Sequence, residues 1–149
     1  MRRPVRFYRP QEEYFELSNF SPHGFEADGV WWPTVEHYFQ AQKFSGASCA
    51  AHRQCIRNAP SPGEAKSLGQ SRHVPIRSDW EAAKVDVMRT ALRLKFAMPE
   101  LRELLLSTGS RHLIEASPQD RYWGEGRDGQ GKNMLGRLLM ELRASLQAD

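Results

Sequence analysis

The 149 residues, 40% hydrophobic and 26% charged, suit one soluble domain with one core, and no apolar run approaches membrane-spanning length. The formal charge of +3 comes in no long basic block, which fits a phosphate-bearing ligand better than a dedicated nucleic-acid surface with interleaved aromatics. Cys49 and Cys55 form no CxxC, and His23, His37, His52, His73 and His112 follow no zinc-binding spacing, so free thiols in a reducing cytoplasm and no structural metal are expected. The opening MRRPVRFYRP has basic residues with no apolar stretch behind them, unlike a signal peptide.

Val5 to Tyr8 alternates as a short strand, with Arg6 and Arg9 beside it. Leu17, Ser18, Asn19 and Phe20 read as a loop or turn. Phe25–Ala27, Asp28-Gly29 and Val30–Trp32 read as a β-hairpin with a type I′ turn. The hairpin feeds WPTVEHYFQAQKF, Trp32 to Phe44, a helix with Pro33 in its first turn or Thr34 as its cap, ended by Ser45 and Gly46. Val35, Tyr38, Phe39, Ala41 and Phe44 cover most of its circumference, as in a buried helix. Glu36, Gln40 and Lys43 instead fall in one narrow stripe. Such groups enter a core only with partners or water, so the stripe is expected to face a pocket or to be paired structurally. Glu36 and Lys43 stand roughly 10 Å apart along the axis, enough for a small molecule to lie between them.

Ser48 to Arg57 reads as a second helix. Ser61-Pro62-Gly63-Glu64 has capping-box spacing and opens a short helix through Leu68, stopped by Gly69. Ser78-Asp79-Trp80-Glu81 repeats that spacing ahead of the longest helix, about Asp79 to Ala97. Pro99 starts a helix with Leu101, Leu104 and Leu105 in the core, Arg111 to Ala116 is a short strand, and from Asn133 a last helix lines up Leu135, Leu138, Leu139, Leu142 and Leu146. Helices outnumber strands and do not alternate with them. This pattern predicts a mainly helical α+β single domain over residues 1–149, with a buried central helix and a small N-terminal hairpin and strand element.

Between the last strand and the last helix runs SPQDRYWGEGRDGQGKNMLGR, Ser117 to Arg137. Gly124, Gly126, Gly129 and Gly131 precede Lys132 and a helix, an arrangement expected to present free N–H groups and a positive dipole end to a phosphate. Gly126 to Lys132 satisfies GxxxxGK, but Asn133 stands where a P-loop needs Ser or Thr. GxGxxG is also satisfied, with too little chain beyond it for a dinucleotide-binding unit. A plain glycine loop is the simpler reading of the glycines alone. Asp120, Tyr122, Trp123, Lys132 and Asn133 bring more chemistry than such a loop needs.

LSNF (Leu17 to Phe20), WPTVEHYFQAQKF, SDWE, VMRTALRLKF and YWGEGRDGQGKNMLGRLLMELR, in this order from about Phe7 to Leu146, closely resemble the YbiA-like, or NADAR, family of N-glycosidases. Leu17 stands where members often have Phe. The resemblance implies cleavage of the N-glycosidic bond of ribosylaminopyrimidine 5′-phosphates of riboflavin biosynthesis, releasing ribose 5-phosphate and an aminopyrimidine. A second branch removes ADP-ribose from guanine bases of nucleic acid. The family's glutamate matches Glu36, its tryptophan Trp80, its loop aspartate Asp120 and its lysine Lys43, which in the second branch is thought to attack the sugar carbon.

Such cleavage passes through a sugar cation and needs negative charge beside it and a proton for the leaving nitrogen. Glu36 and Asp120 are the catalytic candidates with their roles unassigned, and Lys43 is either a substrate contact or a covalent nucleophile. Arg9, Asn19, Phe20, Gln40, Trp80, Trp123, Gly124, Lys132 and Asn133 are the substrate-binding candidates. Trp80 and Trp123 either stack on the base or, as a lone tryptophan more often does, pack in the core, and Lys132, the loop N–H groups and Arg9 would hold the phosphate. No metal, organic cofactor, membrane or obligate protein partner is called for. A non-catalytic ADP-ribose or nucleotide-binding module is the alternative, and Glu36, Lys43 and Asp120 together exceed what a pure binder needs.

Overall fold

The computed structural model describes residues 2–149. In chain order its elements are β1 (Val5–Phe7), β2 (Phe25–Ala27), β3 (Val30–Trp32), α1 (Val35–Ala41), α2 (Ala50–Arg57), α3 (Pro62–Gly69), α4 (Trp80–Lys95), α5 (Pro99–Ser107), β4 (Leu113–Glu115) and α6 (Met134–Gln147), with single 3-10 turns at Phe15–Leu17 and Ala47–Cys49. The fold is α+β and mainly helical, as the sequence pattern predicts. Two compact units make it up: the chain up to Ser21 together with Phe96–Asp149, and Pro22–Lys95.

The Pro22–Lys95 unit is built round α1. The antiparallel pair of β2 and β3 places Phe25 opposite Trp32 and Ala27 opposite Val30. Asp28 and Gly29 between them have φ of 52° and 79°, both positive as a type I′ turn requires. Thr34 caps α1, its hydroxyl accepting from the His37 N–H at 3.1 Å, so Pro33 stands just outside the helix. Every residue of α1 is buried, and α2, α3 and α4 pack against it. The helix is shorter than the sequence predicts. After Ala41 the Lys43 and Phe44 N–H groups bond three residues back, to Gln40 and Ala41, in the tightened turn that often ends a helix.

Tyr38 meets Phe25 and Trp32 edge to face, with ring centroids 5.5 and 5.6 Å away, which joins α1 to the hairpin. The His37 ring is satisfied at both nitrogens, by Thr34 Oγ1 at 2.8 Å and by the Ala59 carbonyl at 3.0 Å. Ser61 caps α3 as predicted, accepting from the Glu64 N–H at 3.1 Å. The predicted box at α4 works differently. The Asp79 carboxylate pairs in a fork with Arg77, at 2.6 and 2.8 Å, and the Asp79 carbonyl accepts from Ala83 N–H.

In the other unit, β1 and β4 form a parallel pair in the register Val5 to Leu113 and Phe7 to Glu115. Helix α6 packs on β4 and α5 through Leu135, Leu138 and Leu139, while Leu142 and Leu146 stay half-buried. Arg143 is buried on the same helix and donates to Thr108 Oγ1 at 2.8 Å. The junction depends on Asn133, left-handed at φ 51°, ψ 45°. Its Nδ2 donates to the Leu113 carbonyl at 2.9 Å, and its Oδ1 accepts from the Glu115 N–H at 3.0 Å. One carboxamide thus fastens the start of α6 to β4.

Among the described residues, no helix is long and apolar enough to cross a membrane. Asn133→Ala leaves two strand groups without their partner and should lower unfolding free energy by about 1–3 kcal/mol in urea denaturation. An unchanged midpoint would rule out the clamp.

Candidate active site

The polar stripe of α1 is buried, with Glu36 7% and Gln40 4% exposed. One helical turn separates them, and Gln40 Nε2 donates to Glu36 Oε2 at 2.6 Å. This bond fixes the rotation of the carboxylate. Lys43, one position past the helical cap, is half-buried and donates to the Gly69 carbonyl at 3.3 Å.

Gly69 is the residue that spacing alone does not reveal. In the sequence it is a helix stop. In the fold it closes α3 directly against α1, where an added Cβ would lie 2.0 Å from Gln40 Oε1 and 2.7 Å from its Cδ. Only a residue without a side chain lets the α3 backbone approach this closely. Gln40 Oε1 is buried there without a hydrogen-bond partner among the described residues, an acceptor aimed at the wall of the stripe.

Burial lowers the proton affinity of Lys43 below the usual lysine value of 10.5. Glu36 opposes this shift with its negative charge, and Lys66 adds to it with its positive charge. The unfolded chain therefore binds more protons than the folded one between the lowered folded value and 10.5, so this group's contribution to stability rises with pH across that window. At neutral pH the amine is held closer to its uncharged, nucleophilic form than a solvated lysine. Trp80, 8% exposed, packs on Phe39 with ring centroids 5.0 Å apart at a 58° tilt, so α1 and the start of α4 share an aromatic contact.

The other candidates belong to the unit made of the chain up to Ser21 and Phe96–Asp149. Asp120 is half-buried, and its Oδ1 accepts from the Tyr122 and Trp123 N–H groups at 3.0 and 2.8 Å. That turn fixes the carboxylate through one oxygen and leaves Oδ2 with no hydrogen bond from the described residues. Trp123 stands edge to face with Tyr122, at 4.9 Å and 80°. Lys132 is exposed, with Nζ 5.5 Å from the centre of the Tyr122 ring. Asn19 is buried, Phe20 is 37% exposed, and Arg9 is exposed, its backbone N–H on Glu12 Oε1 at 2.7 Å.

The expected cradle of free backbone donors is corrected by the structure. The N–H groups of Lys132, Asn133, Met134 and Leu135 donate to the carbonyls of Arg121, Gly124, Tyr122 and Trp123, at 2.8 to 3.0 Å. The loop folds back and satisfies the helix start itself. Gly124 and Gly131 serve that fold: a Cβ on Gly131 would sit 2.5 Å from the Gly124 carbonyl oxygen. The loop is a knot of internal bonds, with Asp120, Trp123 and Lys132 as its side-chain chemistry. Asn133, with both ends of its amide on β4, is a structural tie.

A buried carboxylate held by an amide and, further along the chain, an amine of lowered proton affinity are the kinds of group that acid–base or nucleophilic chemistry at an electrophilic carbon uses. The NADAR domain matches residues 6–147. The chain is 48% identical to N-glycosidase YbiA of Escherichia coli K12 over 143 residues, 95% of this chain and 88% of that one. It is 44% identical to the chloroplastic riboflavin biosynthesis protein PYRR of Zea mays, over 95% of this chain and 25% of the larger maize protein. The NMR structure of E. coli YbiA superposes with a TM-score of 0.87 at 46% identity, covering 98% of this chain and 86% of that one. The chain belongs to the NADAR family, and its activity class is that of an N-glycosidase, a hydrolase acting on N-glycosyl bonds.

Gly69→Ala should push the Gln40 side chain off its seat and lower kcat about tenfold or more in a folded protein, because small misplacements of reacting groups are costly. Wild-type turnover would show that the close approach is incidental. NMR titration of the Lys43 amine should give a midpoint below 10.5, and Glu36→Gln should move it lower still, since the Glu36 charge supports the ammonium form. An upward move would contradict this electrostatic reading.

Proposed function

We propose that the chain hydrolyses the N-glycosidic bond of ribosylaminopyrimidine 5′-phosphates, intermediates of riboflavin biosynthesis, and does so in the cytoplasm. The observation that carries the proposal is the buried Glu36 carboxylate, held by Gln40 on the same helix face as the amine of Lys43. The naming of the maize relative as a riboflavin biosynthesis protein supports the substrate.

In the proposed reaction the bond between the ribose anomeric carbon and the exocyclic or ring nitrogen breaks with its electron pair leaving on nitrogen. The developing sugar cation is stabilised by the Glu36 carboxylate, whose charge acts strongly because little water surrounds it. Water adds its oxygen to the anomeric carbon, and its proton balances the nitrogen that leaves. Asp120 is assigned the second carboxylate role, orienting the base or relaying that proton through Oδ2. Trp123 is assigned to the base and Lys132 and Arg9 to the 5′-phosphate, as side-chain contacts without help from the loop N–H groups.

The lowered proton affinity of Lys43 favours a second route. Its amine attacks the anomeric carbon, displaces the base and forms an adduct that water later cleaves. That route suits ADP-ribose removal from guanine, the second substrate reading.

The purified protein should release base from the ribosylaminopyrimidine phosphate and not from an oligonucleotide carrying ADP-ribosylated guanine, followed by chromatography. Glu36→Gln should remain folded and lose at least about a hundredfold in kcat. Release from the oligonucleotide alone would overturn the substrate, and wild-type turnover by Glu36→Gln would overturn the site.

A further inference from the structure

Helix α1 also borders a cavity on its other side. Tyr38 lies two residues from both Glu36 and Gln40, about 200° round the helix, and it lines a separate cavity of about 510 Å³. That volume is in the range of small-molecule sites. Trp32, Tyr38 and Phe44, all largely buried, form the apolar part of the wall, and Arg53, Arg57 and Arg77 supply cations.

The three arginines are placed rather than loose. Arg53 Nη1 donates to the Phe44 and Gly46 carbonyls at 3.1 and 2.9 Å. Arg57 Nε donates to the Trp31 carbonyl at 2.8 Å. Arg77 is neutralised by its fork with Asp79. Arg53 and Arg57, one turn apart on α2, have no carboxylate partner among the described residues. Each retains guanidinium N–H groups beyond those spent on carbonyls, Nε and Nη2 for Arg53 and both Nη atoms for Arg57. Two like charges held on one cavity wall repel each other until an anion joins them. The opposing charge on this wall is Asp28, at the hairpin turn, which also helps push the Tyr38 hydroxyl to higher proton affinity, after burial.

We propose that this cavity binds the phosphate monoester of a small aromatic or nucleoside-like molecule, with Arg53 and Arg57 on the phosphate and the edges of Trp32 and Tyr38 on the planar group. A phosphate monoester carries close to two negative charges at neutral pH, which matches two guanidinium groups lacking carboxylate partners better than a single carboxylate would. Asp28 and the Tyr38 hydroxyl are placed for the hydrogen-bonding groups of the rest of the ligand. The site is separate from the Glu36 stripe and does not depend on the substrate assigned to it.

The test is an amide NMR titration of the ¹⁵N-labelled protein with adenosine 5′-monophosphate, adenosine and inorganic phosphate. The nucleotide should move the amides of Val30, Ala50 and Gln54 saturably, and bind there roughly tenfold tighter than either part alone. Gln54→Glu places a carboxylate on the exposed rim without touching the arginine anchors, and should weaken that binding roughly fivefold or more by like-charge repulsion. Arg53→Gln with Arg57→Gln should abolish it. No saturable shift at those amides by about 10 mM nucleotide, equal affinity for inorganic phosphate, or indifference to Gln54→Glu would each overturn the proposal.

Discussion

The close approach of the α3 backbone to the Gln40 side chain at Gly69 is the constraint on which the site rests. It seats Gln40 so that its amide reaches Glu36, and it offers a carbonyl to Lys43. One glycine thus organises a carboxylate, an amide and an amine that the helix alone only brings to one side. The tightened turn after Ala41 completes the arrangement, because it takes Lys43 off the helical ladder while keeping it at the wall.

Burying this stripe works against stability. A carboxylate and an amine lose hydration in a core otherwise made of Val35, Phe39, Ala41 and the aromatics of the hairpin. The depressed proton affinity of Lys43 is the visible sign of that cost. A well-packed apolar stripe would suit the fold better, which is the cost that the proposed chemistry of these groups would offset. The opposite side of α1 shows the same economy in another form: Tyr38 ties the hairpin to the helix and still faces a cavity.

Much of the architecture was legible because local signals and burial agree. The Asp28-Gly29 turn, the Ser61 cap and the leucine stripe of α6 each follow from residue type and spacing. The all-round burial of α1, with a polar stripe, could be read from a helical wheel. What was not legible depends on contacts distant in sequence. The parallel pairing of β1 with β4 joins strands near opposite ends of the chain, and no periodicity encodes it. The role of Gly69 depends on where α3 meets α1. The loop before α6 was misread for the same reason. Glycines ahead of a helix do favour free N–H groups, but here carbonyls from Arg121 to Gly124 turn back and take them, and Asn133 is used on β4.

The central claim is that the Glu36 stripe holds the reacting carbon. A crystal structure of the Glu36→Gln protein with uncleaved ribosylaminopyrimidine phosphate tests it most directly. The account predicts the anomeric carbon roughly 3–3.5 Å from the residue 36 side chain or from the Lys43 amine, as a near-attack arrangement demands. A substrate bound with its anomeric carbon far from both groups would contradict it.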